Sequence, residues 1–112
     1  MKKLLILLLF PLMMFAQDWI QIGEDIDGEV AVDESGYTVS ISDDGSVVAI
    51  GARYNDGNGF GSGHVRVYNW TGTSWNQLGQ DLDGEDINDE SGFSISLNSN
   101  GYTLAIGAKD ND

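Results

Sequence analysis

The sequence predicts an all-β fold made of repeated four-stranded antiparallel units, the blades of a β-propeller, and three observations predict it. The first is an internal duplication. Residues 19–56 align without gaps on residues 75–112 at a constant offset of 56 (75 − 19), with 19 identities among the 38 pairs. The second is strand periodicity: Tyr37, Val39 and Ile41 alternate with Thr38, Ser40 and Ser42, a spacing of two that no helical stripe has. The third is that the connections repeat as faithfully as the strands, since Asp25-Ile26-Asp27-Gly28-Glu29 returns as Asp81-Leu82-Asp83-Gly84-Glu85. Units that step to their neighbours in one way must repeat their connections. The alternative architecture, a β-sandwich built from a duplicated unit, has no reason to.

Taken in order, residues 1–16 read as a signal peptide: Lys2-Lys3, an apolar run over residues 4–10, and Ala16 before Gln17. The run is shorter than the ~20 apolar residues that span a bilayer, so export and cleavage are expected. Residues 17–34 read as an N-terminal strand, where Trp19 and Gln21 alternate with Ile20 and Ile22, followed by an acidic linker. Residues 35–79 read as one complete blade. Its first strand carries Tyr37, Val39 and Ile41; Asp43-Asp44-Gly45-Ser46 turns the chain, and Val47-Val48-Ala49-Ile50-Gly51-Ala52 is apolar enough for a central strand. A Gly- and Asn-rich loop over residues 53–62 leads to the alternating strand Gly63-His64-Val65-Arg66-Val67-Tyr68-Asn69-Trp70, and Thr71-Gly72-Thr73 turns into the copy of the first strand. Residues 80–112 read as a second acidic linker and the first hairpin of the next blade, with Ser99-Asn100-Gly101 as its turn. About one and a half blades plus an N-terminal strand make an incomplete ring, because propellers close with at least about four blades. The expected partners are therefore further blades of a longer chain, or copies of this one.

Charge narrows the function. The chain carries a formal charge of −13; without Lys2 and Lys3, Arg53, Arg66 and Lys109 face 18 acids, or 3 − 18 = −15. Nucleic acid and anionic membranes need a basic surface and are excluded as partners. The absence of Cys removes disulfides, thiolate metal sites and a lipoprotein anchor. An exported domain of this size then leans on core burial, calcium or a larger assembly.

The assembled pattern resembles the FG-GAP repeat, the blade of the integrin alpha-subunit propeller and of many secreted bacterial propellers. Ser35-Gly36-Tyr37 and Ser91-Gly92-Phe93 stand where that family has Phe-Gly, and Ile50-Gly51-Ala52 and Ile106-Gly107-Ala108 where it has Gly-Ala-Pro, with Arg53 and Lys109 replacing the Pro. The resemblance implies a secreted or cell-surface module for binding or scaffolding, with an extracellular protein or glycan as partner. The other functions considered are a propeller-type extracellular hydrolase or lyase and a structural spacer in a large adhesin. The calcium loop common in integrin-type blades does not carry over, because Asp43-Asp44-Gly45 is too short to supply the ~6–8 oxygens that calcium takes.

The repeated linker supplies the candidate site. Asp25 and Asp27, followed by Glu29, recur as Asp81 and Asp83 with Glu85, and carboxylates two apart point the same way in extended chain. Two readings stand: calcium, the one cofactor the sequence suggests though none is required, held by Asp25, Asp27, Asp81 and Asp83; or a solvated acidic loop kept by duplication. Asn55-Asp56-Gly57-Asn58-Gly59 also offers alternating oxygens, in residues that any turn uses. No catalytic residue is assigned. His64, the single histidine, is read with Arg66, Tyr68 and Trp70 as a packing face between blades, and Trp19 and Trp75 as core or interblade anchors. Asn69-Trp70-Thr71 fits the glycosylation sequon.

Overall fold

Strands form where the alternating segments stand in a computed structural model that describes residues 18–112. The expected signal peptide, residues 1–16, lies outside the described residues. β1 (Ser35–Ile41), β2 (Val47–Ala52), β3 (His64–Trp70) and β4 (Trp75–Gln77) make an antiparallel sheet in that order. The β1–β2 turn is fixed by Asp44, whose carboxylate accepts the Ser46 amide at 2.9 Å and the hydroxyls of Ser42 and Ser46. β6 (Ser91–Leu97) and β7 (Leu104–Ala108) form a second, two-stranded antiparallel sheet with the same register and the same irregularity at its start, Ser91/Ser94 for Ser35/Thr38. The two Ala-Ile-Gly-Ala segments thus lie in different sheets, neither of them closed. Among the described residues helix is limited to a single 3-10 turn, Ala31–Asp33, so the fold they form is all-β.

One strand lies where the sequence predicts a linker. β5 (Leu82–Asp83) pairs with the start of β3, setting Asp83 opposite His64 and Leu82 opposite Val65, while β4 pairs with its end. Between them the Leu78 amide donates to Val67 O at 2.7 Å, and beyond them the Gly84 amide donates to Gly63 O at 2.8 Å. The supposed linker therefore begins as a continuation of the fourth strand. Asp and Gly are poor strand formers, which hid it in the sequence, but charged residues suit an edge.

Residues 18–23 form no strand, and Trp19 is fully exposed. Its counterpart Trp75 is strand because it pairs with Trp70, whose ring lies 5.3 Å away. Among the described residues no strand takes that place for Trp19. Trp75 is half-buried and donates its indole N–H to Ile22 O at 3.1 Å, so the two expected anchors differ in role.

The core sits between the sheets. Val47, Ala49, Ala52 and Val65 are buried, and β6 packs against β1 and β2. Thr38 donates its hydroxyl to Gly92 O at 2.7 Å, and the Leu97 amide donates to the Ser40 hydroxyl at 3.0 Å. The covered face of the first sheet is therefore its small-residue face, Thr38, Ser40, Ala49 and Gly51. Val39 and Ile41 on the other face of β1 are exposed, while Tyr37, at the irregular start of the strand, has its ring 5.5 Å from that of Phe93 in the second sheet. In the second hairpin the apolar pairs Ile95–Ile106 and Leu97–Leu104 share one face, and Ser94–Gly107 and Ser96–Ala105 the other. Ile95, Leu97 and Leu104 are half-buried while Ser94, Ser96 and Ala105 are exposed. The hairpin turns Ile95, Leu97 and Leu104 toward the first sheet, leaves Ile106 exposed, and leaves Ser94, Ser96 and Ala105 open.

Candidate functional site

The extended outer strand makes the site. Residues directly opposite in an antiparallel pair share a face, so the β3–β5 pairing sets Asp83 beside His64, and the same register carried onward sets Asp81 beside Arg66. Arg66 Nε donates to Asp81 Oδ1 at 2.7 Å and its Nη2 to Asp81 Oδ2 at 2.8 Å, the forked geometry that a guanidinium offers a carboxylate. Gln77 Nε2 adds a bond to Asp81 Oδ1 at 2.7 Å. Arg66 also donates to Glu29. One β3 side chain thus ties the crossing before the unit to the crossing after it.

Electrostatics follow from these bonds. The Arg66 hydrogen bond holds Asp81 down to about 2 from 3.8, and Arg66 itself is raised. A depressed carboxylate stabilises the fold above its unfolded pKa and loses that contribution as pH falls through its folded pKa. Discounted for its partial exposure, Asp81 contributes about 1–2 kcal/mol that disappears between roughly pH 4 and pH 2. Acid titration of stability should therefore show a loss in that window for the native chain that Asp81→Asn lacks.

His64 is buried, with 6% of its side chain exposed, and its Nδ1 lies 3.8 Å from Asp81 Oδ2 and 3.8 Å from Asp83 Oδ1. Burial lowers its pKa and the Arg66 charge adds to the effect, against the opposing pull of Asp81, Glu29 and Asp83. The imidazole is therefore neutral at pH 7. The sequence does not place it beside two carboxylates, because Asp81-Leu82-Asp83 has the composition of a linker. A signal was present: the alternation Asp81-Leu82-Asp83 complements His64-Val65-Arg66 across an antiparallel pair.

The four aspartates read as calcium ligands do not converge. His64, Asp81 and Asp83 bring one ligand atom each within 4.8 Å of one another, the one such grouping of three or more among the described residues. Asp27 lines a cavity of about 10 Å³ that His64, Arg66 and Tyr68 also border. Asp25 accepts from Gln21 at 2.8 Å and lines a groove with Trp75, the arrangement of Asp81 and Gln77 repeated without a strand beside it. The residues before Asp25 contain no His or Arg to play the part of His64 and Arg66.

The loop oxygens are spent on the loop. Asn55 Oδ1 accepts the Gly57 amide at 2.8 Å, Asp56 Oδ1 the Gly61 amide at 2.8 Å, and Asn58 donates to Gly84 O and Glu85 O. Asn55 Nδ2 reaches Asp33 Oδ2 at 2.8 Å, and the repeat preserves this as Asn111 Nδ2 to Asp89 Oδ2 at 3.1 Å. Arg53, in the position of the family's Pro, lies 3.9 Å from the Tyr37 ring centroid and 4.3 Å from that of Tyr54, and donates to Glu34 at 2.8 Å. A cleft of about 270 Å³ opens between this loop and the second linker, lined by Val32, Tyr54, Phe60 and Glu90.

No protein-family model, curated protein or solved structure matches the chain. Among the described residues no helix is long and apolar enough to cross a membrane.

Proposed function

We propose that the chain is a stacking module of a secreted or cell-surface β-propeller, a scaffold of FG-GAP-like blades that binds an extracellular protein or glycan. One observation carries this reading: the molecule leaves open both halves of an interface that it also makes. Shifting by 56 residues turns Thr38, Ser40, Ala49 and Gly51, which are covered, into Ser94, Ser96, Ala105 and Gly107, which line an open groove of about 260 Å³. The same shift turns Ile95 and Leu97, half-buried against the first sheet, into Val39 and Ile41, which are exposed. A front that fits a back repeats indefinitely or closes into a ring.

Copies of this chain supply each other with the missing faces. Sedimentation velocity should show association that grows with concentration, and Val39→Asp, at a position 64% exposed, should leave a folded monomer that no longer associates. A native chain that stays monomeric across a hundredfold range of concentration would overturn the reading.

A further inference from the structure

The geometry points to a binding site for a divalent first-row transition cation, formed by His64 Nδ1, Asp81 Oδ2 and Asp83 Oδ1. It rests on placement, not on a count of acids. The imidazole is more than nine-tenths buried, and its Nδ1 faces two carboxylate oxygens, each at 3.8 Å, beyond hydrogen-bond reach. Donors that share one ion at bonds of ~2.0–2.2 Å stand roughly 3–3.5 Å apart, so each carboxylate has to approach the imidazole by only a few tenths of an ångström, and the three ligand atoms already lie within 4.8 Å of one another.

The surroundings are those of a prepared ligand set. Asp81 is oriented by Arg66 and Gln77, with Oδ1 taking two of the three bonds and Oδ2 turned to the imidazole. Asp83 lies against Gly57, where a Cβ would stand 2.8 Å from its Oδ1 and 2.9 Å from Asn55 Oδ1. Only a residue without a side chain leaves that space to the carboxylate. Strand pairing fixes His64 and Asp83 on the backbone, so the site sits on rigid elements. Glu29, Asp81 and Asp83 against Arg66 sum to −3 + 1 = −2, the charge that one divalent ion offsets.

Donor chemistry sets the preference. Imidazole nitrogen with two carboxylates suits zinc, cobalt or manganese, whereas calcium and magnesium take oxygen. Imidazole binds such ions through a ring-nitrogen lone pair, and Nδ1 is the nitrogen that faces the two carboxylates. Three protein ligands leave positions for water, and the ion would pin β5 to β3 at the point where one unit passes to the next.

The test is titration calorimetry of the chelator-stripped chain with zinc chloride and calcium chloride, alongside cobalt absorption and nitrogen NMR of the single imidazole. The expected result is saturable binding of one zinc, weaker calcium binding, and a zinc-induced shift at Nδ1. His64→Gln should abolish the binding. Asp83→Asn, at a position 38% exposed and tolerant of change, should weaken it at least about tenfold, and Asp25→Asn should leave it unaltered. Absence of saturable zinc binding, equal binding by Asp83→Asn, or an unmoved Nδ1 resonance would overturn the assignment. These readouts do not depend on association between copies, so this site and the stacking proposal stand or fall separately.

Discussion

Gly51→Ala is expected to destabilise the chain by about 3 kcal/mol, at the upper end of what overpacking costs, while the equivalent change Gly107→Ala costs less than about 1 kcal/mol. The two glycines are 56 residues apart and share their local sequence, Ala-Ile-Gly-Ala. They differ in what stands over them. A Cβ at Gly51 would come within 2.5 Å of Gly92 O, a backbone atom of β6 that cannot move without lifting the second hairpin. A Cβ at Gly107 would meet the Ser94 hydroxyl, which can rotate away, and otherwise nothing closer than 3.5 Å. Urea unfolding of the monomer reads the difference as a shift in midpoint for Gly51→Ala alone. Under conditions in which copies associate, Gly107→Ala should acquire a penalty of its own, because its face is then covered.

Arg66→Ala is the second large effect, expected to cost roughly 2–3 kcal/mol. The substitution strips Asp81 of two of its hydrogen bonds and leaves Glu29 without its guanidinium partner, in a corner that already holds Asp83. Arg66→Lys should recover less than half of the loss, since an ammonium cannot hold both oxygens of Asp81 while reaching Glu29. Both variants are compared by the midpoint of urea unfolding at pH 7. Asp81 in Arg66→Ala should also titrate closer to an ordinary carboxylate, a change that proton-detected carboxyl NMR can follow.

Periodicity and turn chemistry made the hairpins legible. Two features escaped, and each has a physical cause. Burial was inverted on β1: alternation announced two faces but not which one would be covered, and apolar Tyr37, Val39 and Ile41 would ordinarily face inward. The neighbouring hairpin brings its own large residues, Ile95 and Leu97, so the receiving surface must be small, and Thr38 and Ser40 supply it. The candidate site escaped because Asp81 and Asp83 sit on a strand whose composition argues for a loop. Only pairing with His64 and Arg66 reveals it. The repeated aspartates form one set in the sequence, yet Asp25 and Asp27 lack the strand that gives Asp81 and Asp83 their partners.

The open faces can be tested by cross-linking, because the chain contains no cysteine. Ser40 and Leu97 touch within one molecule, and the 56-residue shift moves that contact to Ser96 of one copy and Ile41 of the next. Mixing chains carrying Ser96→Cys with chains carrying Ile41→Cys under mild oxidation should give a covalent dimer that joins the two kinds in preference to either kind alone. Dimers of like chains, or no covalent dimer at concentrations where the native chain associates, would contradict the front-to-back stacking on which the account rests.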